Sequence, residues 1–362
     1  MKKILYPITL LLFTTLTGSM CKNSPTEPEK NCPEKPKTSS RNFTWRTDTL
    51  GKAGSSVGDV WVVNENDIYV GGEFYIKDFD QYNHNNLAHW DGQNWEMRRV
   101  YFVYTYGIPG FIDSSASKIN SIRYFSDNDI VVSSSGGITR WNGAEWLTKD
   151  PPLDFLKGTL QKVYGTSSTN LFYGGTNSSQ SVGSLTHFNG ENFENIETGI
   201  TLPVQDFFGR GDTVFLVASK WWLLTGELYQ VNLNTKTFSR YTELGLSKAF
   251  LSIWFYGDTL YCGNNDKLSK KSFSDTTWKQ VSLPWTVKGI FSMYGNSNYD
   301  IMAVGGFGLI AHYNGENWKE YQAPEVADRS YGNYTRISGK ENVFAMIGES
   351  SSHSFVTLAF RK

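Results

Sequence analysis

The sequence predicts an all-β fold, a seven-bladed β-propeller, in which one small antiparallel unit is repeated around a ring. The first observation behind this prediction is a polar turn that ends in Asp or Asn and leads directly into an apolar strand. It occurs seven times, at Asp67, Asp129, Asn170, Asp212, Asp258, Asp300 and Asn342. After a first interval of 62 residues, these positions are 41 to 46 residues apart. A nearly constant period of this size is typical of a β unit copied around a closed ring.

The second observation is a hairpin motif that follows the polar turn within each unit. Four copies are clear, HWDGQNW, RWNGAEW, HFNGENF and HYNGENW, which begin at His89, Arg140, His187 and His312. Asp-Gly or Asn-Gly between two apolar segments is a strong signal for a hairpin, and it favours a type I′ turn. The aromatic residue three positions after each Gly is expected to begin the next strand. Each unit is therefore predicted to be a four-stranded meander with strands A, B, C and D.

The strands of the first unit are predicted at residues 59–63, 67–71, 87–90 and 95–100. The later units are expected to start near residues 118, 161, 204, 251 and 288. A six-bladed ring is the alternative, should the fourth or fifth unit, whose hairpin motifs are degenerate, prove irregular.

The last unit lacks its fourth strand. Its three strands are predicted at 335–338, 342–348 and 354–361, after which the sequence ends. Residues 41–50, RNFTWRTDTL, look like the missing D strand, with Trp45 expected in the position that Trp95 occupies in the first unit. An N-terminal strand that completes the last blade closes the ring and removes an open sheet edge.

The N-terminal 20 residues are predicted to be a secretory signal peptide. Lys2 and Lys3 precede an apolar run at 4–16, which is too short to span a bilayer. Cys21 follows small residues, and this pattern resembles the lipobox of bacterial lipoproteins, although Met20 replaces the small residue usual before the Cys. The resemblance implies a lipid on Cys21. The alternative is an ordinary signal peptide in which Cys21 is incidental.

Residues 21–41 are predicted to be a tether, and residues 42–362 the propeller. After Cys21 the tether carries four Pro and many charges, but no aromatic or aliphatic side chain, so it cannot bury a core. A tether behind a lipidated Cys holds a domain away from a membrane surface. The expected location is therefore the bacterial cell envelope, at the outer membrane or cell surface, with the lipid anchor as the sole membrane contact.

Composition and charge narrow the classes of partner. The net charge is −1 and no long basic block is present, which argues against nucleic acid. Aromatic residues make up 15% and Gly is plentiful at 34, as expected for short strands and tight turns. Three histidines, His89, His187 and His312, recur at equivalent positions of their units. They are expected to lie far apart around the ring, where they cannot share a metal, and to form hydrogen bonds between blades. No metal or cofactor is predicted. The repeated Asp and Asn side chains are expected to cap their own turns, and the protein is expected to be a monomer.

The repeat also resembles a known group of proteins. The sixth copy, DIMAVGGFGLIAHYNGENW at residues 300–318, is similar to the repeats of bacterial secreted propellers of the Asp-box, sialidase-like or photosystem-assembly-factor-like kind. The resemblance covers residues 42–362 and implies the architecture but no activity. The full Asp-box, S-x-D-x-G-x-x-W, is nowhere intact, and no local motif supplies the arginine triad, Tyr nucleophile and acid of a sialidase.

The long insertions fall in B–C loops and in D–A crossovers, which emerge on one face of such a ring. We call it the loop-rich face, and long loops gathered on a rigid scaffold favour a functional surface. Aromatic rings there can stack on sugars or anchor a peptide, and polar groups can fix hydroxyls or a peptide terminus. The alternative is that these rings only pack loop against loop. The predicted ligand-binding residues are Tyr75, Asp78, Asp80, Tyr82, Tyr104, Tyr106, Trp221, Trp222, Asp328 and Arg329.

The sequence thus favours binding of a glycan or an envelope or extracellular protein, without catalysis. A carbohydrate-active enzyme is the first alternative, because Asp78, Asp80, Asp113 and Asp328 could supply the two carboxylates that a glycosidase needs. Asp78-Phe79-Asp80 also matches the D-x-D of glycosyltransferases, but that motif belongs in an α/β domain. No catalytic residue is assigned. The second alternative is an envelope assembly or scaffold factor that docks through the side of the propeller.

Overall fold

Seven four-stranded antiparallel sheets form the propeller, which confirms the predicted blade count and excludes six blades. The computed structural model describes residues 37–76, 84–104, 112–135, 137–149, 158–177, 182–196, 199–220, 225–241, 250–264, 267–285, 288–322 and 332–362. The compact unit that contains the sheets runs from Thr38 to Lys362.

The strands are given in chain order. The first is β1 (Phe43–Lys52). Blade 1 contains β2 (Ser56–Asn64), β3 (Asp67–Phe74), β4 (Asn85–Trp90) and β5 (Trp95–Arg98). The crossover to blade 2 forms a small hairpin of β6 (Phe102–Tyr104) and β7 (Asp113–Ser115). Blade 2 contains β8 (Ser121–Ser126), β9 (Asp129–Ser134), β10 (Gly137–Trp141) and β11 (Trp146–Lys149). Blade 3 contains β12 (Gly158–Ser167), β13 (Asn170–Asn177), β14 (Val182–Phe188) and β15 (Phe193–Asn195).

Blades 4 to 7 follow the same order. Blade 4 contains β16 (Val204–Arg210), β17 (Thr213–Lys220), β18 (Thr225–Asn232) and β19 (Thr237–Arg240). Blade 5 contains β20 (Phe250–Tyr256), β21 (Thr259–Asn264), β22 (Leu268–Ser272) and β23 (Lys279–Val281). Blade 6 contains β24 (Ile290–Ser297), β25 (Asp300–Gly305), a 3₁₀ turn (Gly306–Gly308), β26 (Ile310–Tyr313) and β27 (Trp318–Glu320). Blade 7 contains β28 (Asn333–Lys340), β29 (Val343–Glu349) and β30 (His353–Arg361), with β1 as its fourth strand.

The ring is closed as predicted, by β1 pairing antiparallel with β30 from Phe43↔Arg361 to Lys52↔His353. The expected position of Trp45 is wrong by one residue. In blade 1, Trp95 pairs with Trp90 of the neighbouring strand. The corresponding pair in blade 7 is Thr44 with Phe360, so Thr44 and not Trp45 takes the position of Trp95. Successive strand residues point to opposite faces, so the Trp45 ring lies instead against Tyr321 of blade 6, with centroids 4.9 Å apart.

The C–D hairpins differ in detail from the expected type I′ turn. In blade 1 the loop spans four residues between Trp90 and Trp95, and only Gly92 has a positive φ, of 95°. The Asp91 carboxylate accepts the backbone N–H groups of Gln93 and Asn94 at 2.8 and 2.7 Å. The Asp or Asn thus holds the turn through its side chain, and Gly supplies the one left-handed position.

The apolar core lies between blades. Seven clusters of buried side chains are present in the described part of the chain, one at each contact between neighbouring blades. The cluster between blades 7 and 1, for example, joins Val343 and Ile347 of β29 to Val60 and Ile68 of blade 1. Each blade therefore depends on both neighbours, and the stability of the ring depends on its closure.

The recurring Asp or Asn forms a hydrogen bond to the C strand of its own blade. His89 donates to Asp67, His187 to Asn170 and His312 to Asp300, each over 2.8 Å. The expectation of hydrogen bonds between blades for these histidines is therefore wrong, since the pair joins strands B and C of one blade.

Candidate functional site

Two of the predicted ligand-binding residues lie in the described part, and both are buried. Tyr75 is 3% exposed and its hydroxyl donates to Glu73 Oε1 over 2.8 Å. Tyr104 is 8% exposed and its hydroxyl lies 2.9 Å from Ser117 Oγ. Both rings contribute mainly to the packing beneath the loops. The other predicted residues lie outside the described residues: Cys21, Asp78, Asp80, Tyr82, Tyr106, Trp221, Trp222, Asp328 and Arg329.

Other apolar side chains are exposed on the loop-rich face. Ile112 adjoins the β6–β7 hairpin, and Phe307 lies in the B–C loop of blade 6; each is 75% exposed. Ile76 and Tyr101, in the B–C loop of blade 1 and the following crossover, are about half exposed on the same face. Ile112 and Phe307 are the two most exposed large apolar side chains in the described part of the chain, which favours this face as a contact surface.

The conformation of Phe307 distinguishes it from the others. Its backbone is left-handed, with φ 53° and ψ 38°, which costs a non-glycine residue on the order of 1–3 kcal/mol. Its N–H donates to Asn333 Oδ1 of blade 7 over 3.0 Å. A Cβ at Gly305 would lie 1.7 Å from the Gly289 carbonyl oxygen, so the loop is closely packed on its base. The fold thus holds an aromatic ring in solvent at an energetic cost.

A second site lies on the axis, where the innermost strands of the seven blades meet. A cavity of about 520 Å³ extends from a layer of polar side chains in mid-channel to the ends of these strands at the A–B turns. We call this end of the channel the A–B face, and it is opposite the loop-rich face. Bulges precede the polar residue in six of the innermost strands. The polar layer comprises Asp59, Ser121, Lys162, Asp206, Ser252, Ser292 and Arg336.

The charged members of this layer form the floor of the cavity and are held by the fold. Asp59 accepts hydrogen bonds from Ser121 Oγ at 2.9 Å and the Ile122 N–H at 3.0 Å of blade 2, and Lys162 Nζ lies 3.6 Å away. In blade 4, Asp206 accepts the Ile253 N–H of blade 5 over 3.2 Å. These carboxylates fasten neighbouring blades together.

Arg336 contributes to the same floor from blade 7. It reaches across the channel, where its Nη2 lies 3.5 Å from the Gln205 carbonyl oxygen of blade 4. Burial lowers the pKa of Lys162 to about 8, and the charge of Arg336 contributes to that lowering. Burial also raises the pKa of Asp206, against the nearby cations. The floor is therefore desolvated, with an ion pair between Lys162 and Asp59, while Arg336 donates to backbone carbonyl groups.

Arg123 lies one layer above the floor and is held differently. Its guanidinium carbon is 5.0 Å from the centroid of the Trp61 ring and 4.3 Å from that of Tyr164. Its Nε is buried without a hydrogen-bond partner, and within the described residues no carboxylate pairs with it. Burial lowers the pKa of Arg123, but a guanidinium stays charged at any ordinary pH. The cavity thus contains a cation that stacks on two aromatic rings and forms no ion pair within the described residues.

This channel was not predicted from the sequence, because all of the candidate binding residues lie in the loops of the opposite face. The available signal was a charged residue inside an innermost strand, as in VGDVWVV around Asp59 or INSIRYF around Arg123. Within the described residues, no group of three or more His, Cys, Asp or Glu is arranged to hold a metal, and no helix is long and apolar enough to cross a membrane.

Comparison with solved structures finds propellers of similar architecture. A YCF48 structure with a bound D1 peptide has a TM-score of 0.64 and 14% identity, covering 91% of this chain and 100% of that one. YCF48 from Cyanidioschyzon merolae has a TM-score of 0.60 and 13% identity, covering 88% and 99%. The WD40 propeller domain of Doa1 has a TM-score of 0.59 and 12% identity, covering 89% and 97%. No family model and no curated protein matches the chain. At these identities, the similarity shows the propeller fold.

Proposed function

We propose that this protein is a lipid-anchored component of the bacterial cell envelope whose propeller binds a protein partner through the loop-rich face. The observation that carries the proposal is Phe307, exposed on that face in a left-handed conformation, with its N–H bonded to Asn333 of blade 7. Strain at an exposed position is typical of functional sites, and exposed aromatic rings are common energetic centres of protein interfaces.

The path of the chain supports the choice of face. Before β1 the chain runs along the A–B face of blade 6. There the Ser39 N–H donates to the Asn314 carbonyl oxygen at 3.0 Å, and the Ser39 hydroxyl donates to the Tyr299 carbonyl oxygen at 2.9 Å. The chain that leads back to Cys21 therefore leaves the propeller at the A–B face. The loop-rich face is the opposite face of the propeller.

A protein partner is favoured over a glycan by the kind of side chains exposed. Ile76 and Ile112 are aliphatic and offer no flat ring on which a sugar can stack, whereas both suit an apolar protein contact. Tyr75 and Tyr104, which were expected to stack on sugars or anchor a peptide, are buried and offer a platform to neither kind of ligand. The D1 peptide bound by the similar YCF48 propeller is further support for a protein ligand.

Replacing Phe307 with Asn is expected to weaken partner binding without destabilising the fold. Asn tolerates a left-handed backbone, so the melting temperature should stay the same or rise. Loss of an aromatic hot spot costs about 2 kcal/mol, or about 30-fold in Kd. Binding is measured by affinity capture from envelope extracts followed by titration of the captured protein.

The matched control for this experiment is Tyr299→Asn. Tyr299 is also a partly exposed aromatic residue but lies on the A–B face, so its replacement should leave capture unchanged. Equal capture by wild type and Phe307→Asn would count against the loop-rich face.

Lipidation is tested separately by metabolic labelling with a palmitate analogue. The wild-type chain is expected to carry the label and to fractionate with membranes, because the thiol of Cys21 is the predicted acceptor. Cys21→Ala should lose both properties, while Cys32→Ala serves as the control. Persistence of the label in Cys21→Ala would refute the anchor.

A further inference from the structure

We propose that the half of the central channel that opens on the A–B face binds a small organic acid with an apolar body, whose carboxylate pairs with Arg123. This site lies on the opposite face from the proposed protein contact and does not depend on it.

The charges that line the cavity are unbalanced. Four cationic residues line it, Arg123, Lys162, Arg336 and Lys340, against the two carboxylates of Asp59 and Asp206. Both carboxylates already accept hydrogen bonds from neighbouring blades. A narrow cleft lined by an excess of one sign concentrates counter-ions of the other sign. The cavity therefore favours an anion.

The position of Arg123 favours a carboxylate in particular. Its planar guanidinium presents parallel N–H groups that match the two oxygens of a carboxylate. Trp61 and Tyr164 contact it at 5.0 and 4.3 Å, and these contacts restrict the plane of the fork. The Arg123 side chain is therefore pre-organised by the two rings, so less side-chain entropy is lost when an anion binds.

The remaining walls suit an apolar body of limited size. Trp61, Phe208, Met293 and Tyr294 line the cavity beside Arg123, and its volume of about 520 Å³ is in the range of small-molecule sites. The floor is obstructed by Arg336, which reaches from blade 7 to blade 4. The ligand therefore enters from the A–B face, past the exposed Lys340, and does not pass through the ring.

The test is isothermal titration of the full chain with phenylacetate and with phenylacetamide, which differ in the charge of one group. Phenylacetate is expected to bind and phenylacetamide to bind at least about tenfold more weakly, as loss of a charge-assisted hydrogen bond predicts. Arg123→Met should weaken phenylacetate about 10- to 100-fold. Its melting temperature should change little, because Arg123 has no ion pair to lose among the described residues and Met can still pack on Trp61 and Tyr164.

The matched control is Arg46→Met. Arg46 also stacks on an indole, Trp90, at 4.5 Å, but it lies on the outermost strand and pairs with Asp48. This variant should bind phenylacetate like the wild type. Absence of phenylacetate binding to the wild type, equal binding of the amide, or unchanged binding to Arg123→Met would each overturn the proposal.

A third ligand distinguishes a small acid from the end of a protein chain. A hexapeptide that ends in Phe with a free carboxylate presents the same group on a longer body. It is expected to bind more weakly than phenylacetate because the cavity is blind. Tighter binding of the hexapeptide would overturn the assignment to a small molecule.

Discussion

Deleting residues 38–52 is expected to abolish cooperative folding of the propeller. The deletion removes β1 and with it the outer strand of blade 7, which pairs along nearly the whole of β30. Phe43 and Leu50 are buried, and losing one such side chain typically costs about 2–5 kcal/mol. The combined cost of losing both side chains is comparable with the whole free energy of unfolding of a domain, which is about 5–15 kcal/mol. Thermal unfolding followed by circular dichroism should therefore show no sharp transition.

The control deletion removes residues 22–36, which precede the compact unit, and should leave the melting temperature unchanged. A circular permutant gives a second check. The Lys362 N–H donates to the Asn42 carbonyl over 2.9 Å, so a short hairpin turn can join these positions. A chain that starts at Ser55 and carries residues 42–52 after Lys362 should melt like the wild type. A sharp transition at the wild-type temperature without residues 38–52 would show that β1 does not close the ring.

Asp300→Ala is expected to destabilise the propeller by about 3–5 kcal/mol, the usual cost of removing one partner from a buried ion pair. Asp300 is 3% exposed and accepts hydrogen bonds from Asn296 and His312, both at 2.8 Å. It also forms an ion pair with Arg361 on β30, which links blade 6 to blade 7. Removing the carboxylate leaves the Arg361 guanidinium, which is 13% exposed, without its ion-pair partner. Chemical denaturation measures the free energy of unfolding.

The equivalent turn residue of blade 5 provides the matched control. Asp258 is exposed and accepts a hydrogen bond from Ser272 at 2.8 Å, so Asp258→Ala should change stability much less. Equal losses for the two variants would mean that the Asp300 network adds nothing beyond an ordinary turn.

The stabilising effect of Asp300 should also depend on pH. Burial alone raises the pKa of this carboxyl, but the hydrogen bonds from His312, Arg361 and Asn296 outweigh burial and lower it to about 2. Because the folded-state pKa is depressed below the usual 3.8, the contribution is complete above that value and is lost as pH falls toward 2. The difference in unfolding free energy between wild type and Asp300→Ala should therefore shrink between about pH 4 and pH 2. A constant difference across that range would contradict the network.

The fold was predictable because its signals are local and repeated. The Asp or Asn before each B strand and the Gly of each C–D hairpin lie within a few residues of the turns they specify. The register of β1 was not predictable to the residue. It depends on pairing with β30, which includes an irregularity between Thr49 and Gly51 that no local pattern reveals.

The axial site was beyond the reach of local patterns for another reason. Asp59, Arg123, Lys162, Asp206 and Arg336 come from five different blades and meet only when the ring is formed. Within its own strand each is a charged residue with no charged residue on either side of it. Only the fold shows that four of them share a floor and that Arg123 lies above it beside Trp61 and Tyr164.

The pairing of β1 with β30 also has a consequence for the rate of folding. Thr47 and Thr357, whose hydroxyls lie 3.0 Å apart, are separated by 310 residues. Closing a loop of that length costs on the order of 5 kcal/mol of chain entropy before any contact compensates it, whereas strands within a blade meet across short turns. Blades 1 to 6 can therefore form early, and the joining of the two distant strands is expected to be the slow, late step. Until then the nascent ring has two bare sheet edges, so this interval is when the chain is most exposed to proteases and to misassembly.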